Sequence, residues 1–303
     1  MKNYTMNREE KEYLKTYNVS RYDRPSLTAD MAVFAILTAE ETREYRKDPK
    51  KRLGLLMIRR GAFPYKDCYA LPGGFARKEE SIEETAFREL KEETSLDSAF
   101  LEPFGMFSQP GRDPRGWIIS QGFLALVDAD KYQIRPGTDA WEATWFFLDV
   151  KQEEMKKHVH KDNAEICTRY RLQLERDEIK LNALVEERRI YCGHHEKTEY
   201  EILEDDGFAF DHAEIIVRAY LALRDKTEQS GRIVFDLMPD LFTLYSLQEA
   251  HEIILGEKLL TPNFRRKMAP YVIETDSYVT GPGHRPAKLF RRNLEAFYNS
   301  TKS

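Results

Sequence analysis

Between Gly74 and Leu96 the chain reads GFARKEESIEETAFRELKEETSL, which places Glu89, Glu92 and Glu93 three and four residues apart. On a helix these three carboxylates share an arc of about 100°. Carboxylates held so close repel one another and call for a cation. Oxygen donors of this kind suit a hard ion, Mg2+ or Mn2+, which keeps several waters and bridges to substrate phosphates. The flanking residues predict the helix that carries them. Ser81 followed by Glu84 is a capping box, so the helix begins at Ser81 after the Pro72-Gly73-Gly74 turn. Ile82, Ala86 and Leu90 form an apolar stripe that can bury the helix against a sheet, and Arg88 stands where it can pair with a carboxylate such as Glu80.

Six of these positions, Gly74, Glu80, Arg88, Glu89, Glu92 and Glu93, would recur by chance in a chain of this length with a frequency on the order of 10^-5. The spacing resembles the Nudix box, the signature of the Nudix hydrolases. Ser95 stands where that family carries a glycine. The exit from the helix should therefore differ, while every acidic position is kept.

The 303 residues exceed one average domain, so two domains are expected. A hydrophobic content of 41 % beside 33 % charged residues reads as a globular chain. No apolar run reaches transmembrane length and the polar start has no signal-peptide core, which points to a cytoplasmic protein with no membrane partner. Cys68, Cys167 and Cys192 are odd in number and lack metal-ligand spacing, so reduced structural thiols are expected. The net charge of -5 is unevenly spread: from Lys258 onward nine Lys/Arg face three Asp/Glu, a local +6 that leaves -11 on the first 257 residues. A basic end on an acidic body suits contact with a polyanion.

Asp30–Leu37 and Leu53–Arg59 read as buried strands, separated by a charged excursion from Glu41 to Arg52. Ala99–Phe107, Trp117–Val127 and Trp141–Leu148 read as further strands, so helix and strands mix within one α/β (α+β) unit, a sandwich on a mixed sheet. From 151 to 206, Ile166–Leu174, Ile179–Val185 and Glu199–Leu203 alternate apolar and polar residues, which predicts an antiparallel β insertion or an extension of the sheet edge. Phe210–Leu223 predicts an amphipathic helix linking two domains.

The C-terminal segment predicts a second module. Ser246 with Glu249 reads as a capping box that opens a helix to Leu255, stopped by Gly256. Thr261 reads as the cap of another helix with Pro262 at its first position, ended by Pro270. Strands Tyr271–Asp276 and Ala287–Arg292 follow, with Gly281–Arg285 as the tip. Two helices and a β-hairpin have the order of a winged helix-turn-helix. Asn263, Arg265, Arg266 and Lys267 would face the major groove or phosphates of double-stranded DNA, with Arg285 and Lys288 on the wing.

Taken together the chain resembles one branch of the Nudix superfamily, the proteins with a C-terminal winged-helix domain: Nudix-related transcriptional regulators of NAD metabolism and their ADP-ribose pyrophosphatase relatives. Beyond the box, the resemblance rests on Pro110–Gly116, Phe210–Ile215, Phe242–Gln248, Asn263–Arg266 and His284–Ala287, and the 151–206 insertion is longer than that family usually shows. The expected partition is a Nudix domain over 22–206, a linker helix over 207–230 and a winged-helix domain over 231–303. The resemblance implies a nucleoside diphosphate ligand such as ADP-ribose and a homodimer. Because all acidic positions are kept, the sequence favours hydrolysis, of ADP-ribose to AMP and ribose 5-phosphate. The alternative is a DNA-binding regulator whose Nudix domain senses ADP-ribose or a related nucleotide or sugar. Metal would be held by Glu89 and Glu93, assisted by Glu92, with the Gly73 carbonyl as a family-type ligand. Arg88, Glu92 and Glu93 would form the catalytic set, and the base would be Glu92 or a carboxylate before Trp145, Asp139 or Glu142. Arg112 and Arg115 would hold phosphate or ribose oxygens, Arg59 or Arg60 would reach the diphosphate, and Phe75 or Trp117 would stack on adenine.

Overall fold

The computed structural model describes residues 6–39, 50–94, 99–131, 142–160, 163–280 and 286–299. The elements run α1 (Arg8–Thr16), β1 (Ser26–Thr38), β2 (Lys51–Arg59), β3 (Tyr69–Ala70), β4 (Gly73–Phe75), α2 (Ile82–Thr94), β5 (Phe100–Phe107), β6 (Ile118–Leu126), β7 (Glu142–His160), β8 (Asn163–Arg176), β9 (Ile179–Cys192), β10 (His195–Asp206), α3 (His212–Gln229), α4 (Leu244–Leu255), α5 (Thr261–Met268), β11 (Val272–Val279), β12 (Ala287–Arg292) and α6 (Leu294–Asn299).

Ten strands make one mixed sheet whose main path is β10-β9-β8-β7-β2-β1-β6-β5, with β3 paired to β2 and β4 to β1. Among the named strands of the described residues the β1–β6 pairing is parallel and the others are antiparallel, and Tyr69 of β3 makes an isolated parallel bridge with Phe208. β1 shows why the sheet needs cover on both sides. Ala29, Met31, Val33 and Ala35 are buried on the face where Ala86 and Leu90 of α2 pack. Ala32 and Phe34, one position out of phase, are buried on the opposite face beside Ile216, Val217 and Tyr220 of α3. Period-two alternation with both sets apolar is what a central strand of a layered sandwich requires.

The segment 151–206 is an extension of the main sheet's edge. β7 begins beside β2 and continues through His160, while β8, β9 and β10 add to it in antiparallel order. α3 lies across this sheet instead of spanning open space between two bodies. Its apolar side joins the cluster that also holds Leu247 and Ile254 of α4, Phe264 and Met268 of α5 and Phe290 of β12. The helical and hairpin elements at the C-terminus thus share a continuous core with the sheet. Burial of that shared surface should make the two parts unfold as coupled units.

Two helix starts differ from the sequence expectation. α4 begins before Ser246: Thr243 is the N-cap, its hydroxyl accepting from the Ser246 amide at 3.0 Å while the Ser246 hydroxyl accepts from the Thr243 amide at 3.1 Å. Serine at the third helical position replaces the glutamate of the usual box, and Glu249 is left for Lys51 at 3.8 Å. Leu260, not Thr261, flanks the start of α5, without a side-chain cap. Gly256 ends α4 at φ +74°, as the sequence predicts. Within the described residues no helix is long and apolar enough to cross a membrane, and all three cysteines are free thiols.

Candidate functional site

The box helix starts as its capping box dictates. The Ser81 amide donates to Glu84 at 2.7 Å and the Glu84 amide to the Ser81 hydroxyl at 3.1 Å. Arg88 is the hub of the charged face. Its guanidinium donates to both carboxylate oxygens of Glu80 at 2.6 and 2.9 Å, to Glu89, to Glu92 at 3.2 Å and to the Phe75 carbonyl at 3.1 Å. These hydrogen bonds hold the Glu80 carboxyl down to about 2. Glu89 in turn lies flat on β4: a Cβ at Gly74 would come within 2.3 Å of its carboxylate, so only glycine lets strand and helix approach.

Glu93 behaves differently from its neighbours. It accepts from the Gly73 amide at 2.8 Å, but desolvation, reinforced by the charges of Glu89 and Asp30, pushes its carboxyl up to about 8. Among the described residues no three His, Cys, Asp or Glu side chains converge on one point as they stand. The donor set nonetheless fits a hard divalent ion. Glu89, Glu92 and Glu93 offer carboxylate oxygens from one helix, and a carboxyl that retains its proton so strongly marks a place where positive charge would be stabilised.

Glu93 borders a pocket of about 150 Å³ lined by Asp30, Arg60, Leu71, Gly73, Phe75, Arg112, Asp113, Arg115, Phe210 and His212, among others. Seven segments meet there: the start of β1, the end of β2, β3 with Leu71 after it, β4, the end of α2, the loop at 110–116 and the approach to α3. That approach is tied to β3, because the Tyr69 amide donates to the Gly207 carbonyl and the Ala209 amide to the Tyr69 carbonyl. Phe210 then adopts φ +55°, a left-handed conformation that costs a phenylalanine on the order of 1 kcal/mol. The turn delivers its ring between two cations. The Arg60 guanidinium lies 4.8 Å and that of Arg115 5.1 Å from the ring centroid, with Tyr65 at 4.7 Å and His212 at 5.4 Å. Arg115 also lies 5.0 Å from the Phe75 ring. The pocket is therefore a π-faced cradle with guanidinium groups at its rim, an arrangement suited to a flat aromatic ring that carries phosphates.

The cations are not equally available. Arg112 is locked by a fork–fork pair with Asp211, two bonds of 2.7 Å, and stands 3.6 Å from Asp30. Burial alone would lower its pKa; the Asp211 bonds more than offset this and leave it raised. Arg115 forks onto Asp113 at 2.6–3.2 Å yet is 39 % exposed, and Arg60 is half-buried with its pKa lowered by desolvation and by the nearby Arg115 charge. A phosphate would relieve that repulsion. His212 is buried and takes the Leu71 amide proton on Nδ1 at 2.8 Å, so its Nε2 carries the hydrogen and faces Asp30 at 3.9 Å. Burial keeps its pKa below the ordinary value.

Of the residues singled out from sequence, the fold brings Gly73, Phe75, Arg60, Glu93, Arg112 and Arg115 to one pocket, with Arg88, Glu89 and Glu92 along the adjoining helix. Arg59 points elsewhere: it pairs with Asp67 at 3.1 Å and sits opposite Glu142 in the β2–β7 register. Trp117 is 55 % exposed and does not line the pocket. Glu142 begins β7, where only its backbone is described, while Asp139 and Arg285 lie outside the described residues. Sequence reasoning missed Asp30, Asp211, His212 and the role of Phe210. Asp30 was visible as a lone carboxylate opening an apolar strand. Phe210, Asp211 and His212 read only as the start of a helix, since nothing local reveals what that start abuts.

At the other end of α3 the basic module presents α5. Phe264 and Met268 are buried, whereas Asn263, Arg265, Arg266 and Lys267 are exposed on the remaining surface. Lys267 donates to the Glu228 carbonyl in the last turn of α3 at 3.4 Å. On the hairpin, Lys288 pairs with Glu274 across the strands at 2.7 Å.

Comparison with known proteins identifies the architecture. A family model described as the NUDIX domain matches residues 30–170, and one described as the NrtR DNA-binding winged helix domain matches residues 234–292. The ADPR responsive transcriptional repressor NtrR of Acinetobacter baylyi is 30 % identical over 292 residues, covering 95 % of this chain and 90 % of that protein. The chain belongs to the NrtR family. An ADP-ribose pyrophosphatase of Methanocaldococcus jannaschii is 43 % identical over 95 residues, covering 31 % of this chain and 55 % of that enzyme. A MutT/nudix family protein from Enterococcus faecalis superposes with a TM-score of 0.64 at 25 % identity, covering 96 % of this chain and 100 % of that one. NrtR of Shewanella oneidensis, complexed with a 27mer DNA, superposes at 0.57 and 22 % identity over 89 % and 94 % of the two chains, a likeness of fold. The Nudix sandwich and the winged helix expected from sequence are thus both present.

Proposed function

We propose that this NrtR-family chain is a DNA-binding transcriptional regulator whose Nudix pocket binds ADP-ribose or a related nucleoside diphosphate and passes that state to the winged helix. The observation that carries the reading is the placement of α3. At its start His212 lines the pocket and Asp211 holds the pocket's Arg112, and its last turn touches Lys267 of the exposed, cationic α5. Asn263, Arg265, Arg266 and Lys267 would enter the major groove or neutralise phosphates, and Lys288 and Arg285 would serve the wing. In the pocket, Phe210 and Phe75 would stack on the adenine, and Arg60 and Arg115 would meet the diphosphate. The domain partition 22–206, 207–230 and 231–303 and a homodimer reading two half-sites about one helical turn apart belong to the same proposal.

One observation favours a second reading, hydrolysis of the same ligand: Glu89 and Glu93 of α2 lie against Gly74 and Gly73 of β4, with Glu92 on the same helix. A divalent ion on these carboxylates would neutralise the diphosphate and acidify a water. Against it, Arg88 already neutralises Glu89 and Glu92. Glu92 or Glu142 would then have to supply the base.

The deciding experiment measures binding to duplexes from the chain's own promoter region by fluorescence anisotropy, with and without ADP-ribose, beside Mg2+-dependent ADP-ribose hydrolysis. A regulator shows tight, salt-sensitive binding that ADP-ribose shifts by about 5–150-fold, the usual range of allosteric coupling. Absence of any duplex binding, with turnover abolished in Glu92→Gln/Glu93→Gln, would replace the regulator with the hydrolase. Within the pocket, Phe210→Ala should weaken ADP-ribose binding by about 1–3 kcal/mol, the range of one lost base–aromatic stack, read by calorimetry. An unchanged affinity would remove Phe210 from the ligand.

A further inference from the structure

Four of the seven histidines, His158, His160, His194 and His195, gather at the distal end of the sheet extension, remote in sequence from the Nudix box and from α5. The strand register sorts them. His158 and His160 are two apart on β7 and so project from the same face, with Cα atoms about 6.7 Å apart. Glu165 on β8 is the direct antiparallel partner of His158, and Asn163 that of His160. The next pairings put Cys192 of β9 beside Asn163, and His195 of β10 beside Cys192. Directly paired residues share a face. One face of the tip therefore carries His158 and Glu165 in one rung and His160, Asn163, Cys192 and His195 in the next.

We propose that His158, His160 and Glu165 form a surface site for a borderline divalent transition ion of the Zn2+ class. Two imidazoles at i and i+2 on one strand, with a carboxylate directly across on the next, supply a two-His, one-carboxylate set; Zn–N and Zn–O bonds of about 2.0–2.2 Å lie within reach of such rungs. A concavity at this tip is lined by His158, His160, Asn163, Glu165 and Cys192, so a fourth donor, Cys192 or water, stands at hand. As the side chains stand, no three donors converge among the described residues, and Glu165 pairs with Arg188 at 3.2 Å. Both obstacles are small. The imidazoles are exposed and free to rotate, and an exposed ion pair of this kind is worth about 0–1 kcal/mol. Sulfur and imidazole donors set this site apart in metal preference from the all-oxygen set on α2, which suits Mg2+.

The test is equilibrium dialysis of the untagged full chain against Zn2+ with Mg2+ in large excess to fill the Nudix carboxylates. The expected result is one tightly held Zn2+ per chain, lost in His158→Ala/His160→Ala, weakened tenfold or more in Glu165→Gln and kept in Glu92→Gln/Glu93→Gln. The substituted histidines are exposed, and circular dichroism verifies that the sheet is intact. A wild-type chain that takes up no Zn2+ under these conditions, or a double-alanine variant that still takes up its equivalent, overturns the site. Because the readout is Zn2+ bound, it is independent of whether the chain binds DNA or ADP-ribose.

Discussion

Replacing Arg112 with alanine should destabilise the protein by about 3–5 kcal/mol, the cost of stranding buried carboxylates when their partner is removed. Its side chain is 5 % exposed, and the two carboxylates it serves, Asp211 and Asp30, are 15 % and 11 % exposed. Those carboxylates come from different parts of the fold. Asp30 lies in the buried part of β1 and Asp211 is the N-cap of α3, with its carboxylate turned to Arg112 and away from the helix amides. Arg112 is thus the rivet between the sheet and the first turn of α3. Arg112→Lys keeps the charge but cannot reproduce the two parallel bonds, so it should fall between wild type and alanine. Denaturant unfolding measures both. If Arg112→Ala loses less than about 1 kcal/mol, the network is a surface feature and the rivet does not exist.

The same rivet should also matter for signalling. α3 is 18 residues long, about 27 Å at the helical rise. Beyond the pocket it meets the winged helix at the Tyr220 hydroxyl, which donates to the Ile254 carbonyl at 3.2 Å, and at Lys267. A variant loosened at Asp211 would keep its DNA surface but transmit the state of the pocket less faithfully. The sharper measure of Arg112→Lys is therefore the ratio of DNA affinities with and without ADP-ribose. A positioning residue lowers that ratio toward one, whereas a purely structural residue lowers stability and leaves the ratio alone.

What could be read before the fold was known follows from the range of the interactions involved. The box helix was legible because its determinants are local: Ser81 and Glu84 cap it, Ile82, Ala86 and Leu90 bury it, and Arg88 finds Glu80 eight residues away. α4 was placed three residues late because a serine, Ser246, takes the box position that glutamate usually holds. The sheet extension was half legible. Alternation revealed β8, β9 and β10, but the continuity of β7 through His160 depends on pairing with β8, which no window of sequence contains. The pocket was legible only on the side that the box and the 110–116 loop contribute. Asp30 and Asp211 lie 181 positions apart, and only the folded sheet brings both to Arg112. Arg59 and Arg60 show the limit most plainly. Adjacent in sequence, they project to opposite sides of a strand end, and only Arg60 lines the pocket.

Substitution of Arg265 and Arg266 together by alanine should lower operator affinity by roughly 1.5 to 4 orders of magnitude at moderate salt, since base-reading and phosphate contacts are each worth about 1–3 kcal/mol. Both residues are exposed on α5, and the helix is held from behind by Phe264 and Met268, so the change removes contacts to DNA without opening the core. Phe264 packs edge-on against His251 with ring centroids 5.0 Å apart, and the ring nitrogens of His251 lie 2.8 and 3.0 Å from the Leu247 and Gly231 carbonyls, one of which takes its N–H, so the ring that backs α5 is held in place. The salt dependence separates roles. Each arginine that meets only a phosphate should lower the slope of log affinity against log salt by about 0.9, while one that reads a base lowers affinity for the operator more than for random duplex. Asn263→Ala, which carries no charge, should leave the slope unchanged and act on sequence preference alone. Lys267→Ala differs from all three, because its ammonium is already engaged with the last turn of α3. It should alter the ADP-ribose response more than the affinity of the ligand-free protein, and equal effects on both would mean that Lys267 is one more phosphate contact.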